Sequence, residues 1–284
     1  MGNPKCNLCN SDTSFHFFWV GFDFYECNQC GFIFIHPVPD EGIIQDQYSK
    51  EYYEDQKRYF APAKDNLEVW SQRIATIEKY LSPQKLKDEE KSILDIGCAT
   101  GIFLEIARNS GWETYGIEYS DYSAKLAADK LGEERIQNTS FEDYESPRKL
   151  TAITAWAVIE HVSTPISFLE KANTLLEENG ILAFSTVNTS SLNGRLFNKR
   201  WRYFNPPEHL SYFNLNNIRR ILNNTGFELL EYQTQFVYKN FLAGISKNPP
   251  KSPNLFTKSI LFSLKIVSQS LSLGDVIEIW ARKE

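Results

Sequence analysis

The sequence predicts an α/β protein, a doubly wound seven-stranded sheet with helices on both faces and a small cysteine-rich module at its front. Three observations predict it. From Ser92 onward, short apolar strands alternate with amphipathic helices, which is the rhythm of a parallel sheet. A loop bounded by Gly97 and Gly101 joins the first of those strands directly to a helix. Ahead of it, four cysteines stand in two pairs, Cys6-x-x-Cys9 and Cys27-x-x-Cys30, with seventeen residues between the pairs.

The bulk properties agree. A chain of 284 residues has room for one large domain and a small appendage. Its 42% hydrophobic and 23% charged residues are those of an ordinary globular protein. No run approaches the roughly 20 apolar residues that span a bilayer. A net charge of -6 argues against a general nucleic-acid binder, which carries a basic surface.

Taking the elements in order, a Cys-x-x-Cys turn points two thiolates at one ion, and two such turns close a tetrahedral sulfur site that suits Zn²⁺. Two disulfides are the other use of such pairs. The start Met-Gly-Asn-Pro-Lys reads as no signal peptide, which places the chain in a reducing cytoplasm where thiols stay free. Cys6, Cys9, Cys27 and Cys30 are therefore expected to hold a structural zinc, in a zinc ribbon over residues 1–36. A closed four-sulfur site offers no position to a substrate, so chemistry is expected elsewhere. Phe15, Phe17 and Trp19, then Phe22 and Phe24, then Phe32 and Phe34, alternate around Gly21 and Gly31. They predict short strands covering the metal. Pro37 and Pro39 end the unit. Residues 37–91 read as a helical connector with Tyr48, Tyr52 and Tyr53 and a helix from Leu67 to Leu81. The mixed charges of Lys85–Lys91 read as a solvated linker.

Residues 92–284 form the main domain. Ser92–Ile96 is a strand, Ile102–Asn109 a helix and Glu113–Glu118 a second strand, after which Ser120 or Asp121 caps a helix through Leu131. Thr151–Ala157 is the fourth strand, followed by a helix over Phe168–Leu176. Asn179-Gly180 turns into the fifth, Ile181–Thr186. Asn214 caps a helix ending at Thr225-Gly226, Phe227 opens the sixth strand, and Asp275–Ala281 is the last. Residues 244–274 are an insertion broken by Pro249, Pro250 and Pro253. Within it, Leu255, Phe256, Ile260, Leu261, Leu264, Ile266, Val267 and Leu271 form an apolar stripe with Lys258 and Lys265. The stripe fits a helix packed on the core or on a second subunit, or one in peripheral contact with a membrane through residues 255–272.

The loop Asp95-Ile-Gly-Cys-Ala-Thr-Gly101 has the spacing Gly-x-x-x-Gly, whereas a dinucleotide fingerprint is Gly-x-Gly-x-x-Gly. Asp95 would repel a diphosphate and suits a cationic amino-acid end. Cys98 reads as a small buried residue, since nothing near it in sequence would lower its pKa. Seventeen residues beyond Gly101, Glu118 closes the next strand, where an acid can accept both hydroxyls of a ribose.

The pattern Asp-Ile-Gly-x-x-x-Gly, with Glu118 and the pair Glu160-His161, resembles class I S-adenosylmethionine-dependent methyltransferases of the ubiquinone-biosynthesis O-methyltransferase type, over about residues 67–284. The resemblance implies a Rossmann-like fold and S-adenosyl-L-methionine as methyl donor, with the connector covering the cofactor site. It implies Arg73 at the cofactor's carboxylate, Asp95, Gly97 and Gly101 at the loop, Glu118 on the ribose, and Glu142 and Trp156 near the adenine. Residue 99 departs from it, being Ala where the family carries Gly. On the acceptor side it implies Glu160, His161 and His209, the last within Asn205-Pro-Pro-Glu-His-Leu-Ser-Tyr-Phe213. His209 is expected to be the base, with His161 as its rival. The ubiquinone-type relatives place a glutamate where this chain has Ala157, and that glutamate helps hold a divalent ion. No metal is therefore expected beside His161.

Arg195, Lys199, Arg200 and Arg202 read either as a clamp for a phosphate-bearing acceptor or as a solvated basic turn. The expected activity is methyl transfer to a hydroxyl of a sugar, nucleotide sugar or lipid-linked saccharide. A quinone or phenol O-methyltransferase is the alternative. A third is an RNA methyltransferase that uses the ribbon for binding. Against it, the ribbon carries Lys5 beside Asp12, Asp23 and Glu26, where an RNA-binding ribbon would be basic. A cofactor-binding scaffold without activity is the fourth.

Overall fold

A computed structural model describes residues 2–40, 42–43, 64–87, 90–245 and 254–284 and divides their strands between two sheets. Tyr48, Tyr52, Tyr53, Pro249, Pro250 and Pro253 lie outside the described residues. The larger sheet has seven strands: β4 (Ser92–Ile96), β5 (Glu113–Glu118), β6 (Ile136–Asn138), β7 (Leu150–Trp156), β8 (Leu176–Val187), β10 (Phe227–Gln235) and β11 (Val276–Lys283). Their order is β10-β11-β8-β7-β4-β5-β6, and their number is the seven that the sequence reading expects. β11 pairs antiparallel with both β8 and β10, while β6, β5, β4, β7 and β8 are parallel neighbours.

Side-chain alternation along these strands feeds two cores, which is what makes the sheet doubly wound. Leu94, Ile153, Leu182, Phe184 and Ile279 point to one face. There they meet Phe168 and Leu169 of α5 (Pro165–Leu175), and Ile218 and Ile221 of α7 (Leu215–Asn224). Ile93, Ala152, Ile181, Ala183 and Trp280 point to the other. Their partners are Ile74 and Ile77 of α1 (Lys64–Lys79), Phe103 and Leu104 of α3 (Ile102–Asn109), and Ala124 and Ala127 of α4 (Asp121–Leu131). Each buried aliphatic contributes about 1.5–3 kcal/mol of transfer free energy, so burial on both faces explains the run of apolar strands.

Three local outcomes differ from the sequence reading. The turn at Asn179-Gly180 is absorbed into β8 as an irregularity between Leu176 and Ile181, with Asn179 at φ 61°. Pro83–Leu86 forms a short helix, α2. Lys91, read as part of a solvated linker, is buried: its ammonium lies 5.5 Å over the Trp112 ring and 3.6 Å from Glu78. A lysine's long apolar stem allows this while its charge finds a carboxylate.

The smaller sheet is antiparallel, in the order β1 (Thr13–Trp19), β2 (Phe22–Cys27), β3 (Ile33–Ile35) and β9 (Ser211–Tyr212). Val20 and Gly21, both at positive φ, make the two-residue hairpin between β1 and β2. β9 comes from the far end of the chain, through Ile33 opposite Tyr212 and Phe34 opposite Ser211. One set of side chains on the front strands thus covers a loop of the main domain, while Phe32 and Phe34 share a buried cluster with Cys6 and Cys27. Phe24, Ile33 and Ile35 pack with Trp201, Phe204, Leu210 and Tyr212. Phe15, expected to be covered, is exposed, because the strand shifts register between Phe15 and Phe17.

Candidate active site at the carboxyl edge of the sheet

β4 ends at Ile96 and the chain turns at once. Gly97, Ala99 and Gly101 all take left-handed φ, at 68°, 47° and 73°. The Gly97 and Cys98 amides both donate to the Ile117 carbonyl, at 2.9 and 3.0 Å, which pins the turn to β5. Both glycines are also demanded by space. A Cβ at Gly97 would lie 2.9 Å from Val158 Cγ2, and one at Gly101 would lie 2.8 Å from Leu131 Cδ1. Ala99 holds a conformation that costs a residue with a Cβ about 1 kcal/mol. Its amide is held by Glu118 Oε2 at 2.9 Å, while Glu118 Oε1 accepts from the Ser120 amide at 2.9 Å. Glu118 is buried, with both oxygens fixed at the mouth of β5.

Asp95 is buried at the end of β4 and accepts from Thr154 Oγ1 at 2.6 Å. Burial pushes its carboxyl up to about 7; Thr154 and the Arg73 charge pull it back, and the Glu118 charge adds to the rise. Cys98 is buried and its thiol is held well above the usual range, so it is inert. Arg73 reaches in from α1 and lies between two indoles, 4.4 Å from the Trp70 ring centre and 4.1 Å from that of Trp156. Its Nε and one terminal nitrogen donate to Glu278 Oε1 on β11, a fully buried carboxylate that also accepts from Gln233 and Gln235. Trp156 packs among Trp70, Phe103 and Trp280, and its Nε1 has no hydrogen-bond partner among the described residues. Glu142 is exposed, with its backbone carbonyl taking the Lys171 ammonium at 2.7 Å.

The loop after β7 faces this turn through Val158. Ala157 is at φ 56°, its amide held by the Ser185 carbonyl and hydroxyl at 3.2 and 3.0 Å. Ile159–His161 then forms one 3₁₀ turn. The Leu210 amide donates to the Glu160 carbonyl at 2.8 Å and joins this turn to the 201–213 loop. His161 Nδ1 donates to the Glu208 carbonyl at 2.7 Å, and His209 Nδ1 to the Tyr203 carbonyl at 2.9 Å. A ring nitrogen facing a carbonyl carries the proton, so both rings keep their lone pair on Nε2. The rings meet edge to face at 4.9 Å. Glu160 is buried, its Oε2 without a hydrogen-bond partner among the described residues, and burial pushes its carboxyl up to about 8. Glu160, His161 and His209 each bring one ligand-type atom within 4.8 Å of the other two. Alanine at 157 therefore does not strip the place of donors. His209 is only 7% exposed, roofed by Tyr203 and Tyr212, and burial drives its pKa down to about 3.

Sequence reasoning missed Glu278, Thr154, Trp70 and Tyr203. Glu278 had a signal: an acid inside a strand whose neighbours are all apolar needs a buried partner. The four N-terminal cysteine sulfurs converge, with Cys9–Cys27 at 3.4 Å and Cys6–Cys30 and Cys9–Cys30 at 3.7 Å, and all are free thiols. Metal–sulfur bonds of ~2.3 Å give a tetrahedron with edges of about 3.8 Å, so the cysteines fit zinc.

Sheet order, the glycine turn and two buried acids at the carboxyl ends of β4 and β5 define an S-adenosylmethionine-dependent methyltransferase. Residues 66–232 match the family described as Methyltransferase domain, and the chain belongs to that family. It is 30% identical over 108 residues to the ubiquinone biosynthesis O-methyltransferase of Actinobacillus pleuropneumoniae, covering 34% of this chain and 46% of that protein. With the enzyme of the same name from Nitrosomonas europaea it is 32% identical over 109 residues, covering 35% and 45%. The chain spans about half the length of the curated relatives it matches. Among solved structures, an S-adenosylmethionine-dependent methyltransferase from Archaeoglobus fulgidus superposes with a TM-score of 0.56 at 17% identity, over 82% of this chain and 99% of that one. Magnesium protoporphyrin IX methyltransferase from Synechocystis, with bound S-adenosylhomocysteine, gives 0.55 at 14% identity over 87% and 100%. At these identities the two structures speak to fold alone.

Proposed function

We propose that the enzyme methylates a hydroxyl of a phenol- or quinone-type acceptor, with His161 as the base. The observation that carries this is the packing of Val158 on Gly97, which sets the Glu160–His161 turn beside the cofactor turn. The relatives' names favour a phenolic acceptor over the sugar acceptor expected first. Half-buried His161 is better suited to meet an acceptor than His209, whose ring is enclosed.

When bound, S-adenosylmethionine supplies an electrophilic methyl group on a sulfonium that leaves as a thioether. The chain's part is to orient and to move one proton. Glu118, at the mouth of β5, would accept from the two ribose hydroxyls. Asp95 would face the cationic amino-acid end, and the Arg73–Glu278 pair would hold α1 over that end. A hydroxyl held within about 3 Å of His161 Nε2 and in line with the donor's methyl group would give up its proton to that nitrogen. His161 loses basicity by burial, and the Glu208 carbonyl and charge restore part of it.

Incubation with labelled S-adenosylmethionine and a panel of catechols, hydroquinones and nucleotide sugars tests this. Label is expected in the phenolic ethers; label only in the sugars would overturn it. One observation keeps the sugar reading second. Arg195, Lys199, Arg200 and Arg202 are exposed, and among the described residues no carboxylate lies within ion-pair distance of them. That leaves them open to a phosphate-bearing acceptor. A structural zinc on Cys6, Cys9, Cys27 and Cys30, and a cytoplasmic place for the enzyme, belong to the same proposal.

A further inference from the structure

α6 (Leu192–Phe197), α8 (Tyr238–Ile245) and α9 (Leu255–Ser270) form a satellite layer on the main sheet. Its small core joins Leu192, Phe241, Leu242, Leu261 and Leu264 to Phe236. α9 spends only one side on that core, the side of Leu261 and Ser268. Its other side is bare: Leu255 is 81% exposed, Phe256 75% and Phe262 64%, with Ile266 and Val267 about half exposed. Between them lie Ser259, Ser263 and Ser270, and no charge. Lys258 and Lys265 stand two helical turns apart, along the edge between the buried side and Phe262. A shallow groove of about 330 Å³ runs along Ser259, Ile260, Ser263, Leu264 and Val267.

Charge decides what covers this face. Residues 232–274 hold five lysines and no acid, and residues 189–207 hold Arg195, Lys199, Arg200 and Arg202 and no acid, in a chain of net charge -6. A second copy of the chain seated on the same face would set Lys258 and Lys265 against like charge beside the apolar strip. An anionic lipid surface brings opposite charge and an apolar layer together.

We propose that α9 lies in the plane of an anionic bilayer surface. Leu255, Phe256, Phe262 and Ile266 enter the acyl boundary, and Lys258 and Lys265 extend to the lipid phosphates. No helix among the described residues is long and apolar enough to cross a membrane, so the contact is a surface one.

The test is cosedimentation of the full chain with vesicles of phosphatidylcholine alone, or mixed with phosphatidylglycerol. Binding is expected to the mixed vesicles, to weaken with salt, and to be absent on phosphatidylcholine alone. The pairs Phe256→Ser with Phe262→Ser, and Lys258→Glu with Lys265→Glu, should each weaken binding by at least about tenfold. All four residues are exposed, so S-adenosylmethionine affinity by calorimetry should stay unchanged and report an intact fold. Equal binding to both vesicle types, or binding unchanged in either pair, would overturn the proposal. So would a dimer, by light scattering, that the Phe256→Ser and Phe262→Ser pair splits while no vesicle binding is seen.

Discussion

The Ala99 amide donates to Glu118 Oε2 at 2.9 Å, so the turn after β4 and the end of β5 hold each other in place. The same carboxylate takes the Ser120 amide on its other oxygen. A side chain fixed at both oxygens loses no rotamer freedom when a ligand arrives, which is preorganisation in its simplest form.

Replacing Glu118 by Ala should weaken S-adenosylmethionine binding by about 1–3 kcal/mol, since two ribose hydroxyls and two amides lose a buried charged acceptor. Glu118→Gln, which keeps one oxygen, should fall between. Calorimetry reads both; an unchanged affinity in the alanine variant would remove Glu118 from the ribose.

With Asp95 in its proposed place at the cofactor's cationic end, cofactor affinity should depend on pH. Its folded-state value of about 7 stands above the ordinary 3.8, so between those values the folded chain binds more protons than the unfolded one. The stability contributed by Asp95 is therefore greatest at low pH and lost as pH rises through that window. A cationic ligand prefers the ionised form, so affinity should climb about tenfold from roughly pH 6 to 8 and then level off. Asp95→Asn should abolish that slope. A flat profile in the unmodified enzyme would show that the ligand's cation does not face Asp95.

Much of this was legible in the sequence because local rules governed it. Period-two alternation and turn glycines announced the strands, α3 begins and ends where its apolar pattern does, and paired cysteines converge as their spacing requires. What stayed hidden was set by contacts between distant residues. Arg73 meets Glu278 from 205 positions away, and β9 is two residues long, too short to show any period. His209 lies on a polar-looking loop, yet Tyr203 and Tyr212 enclose its ring.

Pairing of β3 with β9 ties the zinc proposal to the acceptor loop. Native mass measurement should find one zinc per chain, lost in Cys9→Ser. Metal removal should free β3 from β9 and lower turnover several-fold with cofactor affinity unchanged. A Cys6–Cys9 disulfide without zinc would refute the assignment. A second metal equivalent that disappears in His209→Ala would overturn the expectation that no metal sits beside His161.

The base assignment can be separated from loop support by two variants and a pH profile. A general base contributes about 10²–10⁴-fold, so His161→Ala should lower turnover by that order while S-adenosylmethionine still binds. His209→Ala should act mainly on the fold. It removes a ring packed against Tyr203 and Tyr212, takes one of the two donors from the Tyr203 carbonyl, which keeps the Asn205 amide, and should cost roughly 1–3 kcal/mol of stability in thermal unfolding. The acid limb of turnover should lie below about 6.5, because burial lowers the His161 pKa from that value. That limb should survive in His209→Ala and vanish in His161→Ala. The reverse pattern, with His209→Ala folded but inactive and His161→Ala active within a few-fold, would return the role to His209. It would also mean that the 201–213 loop opens to expose that ring before the acceptor binds.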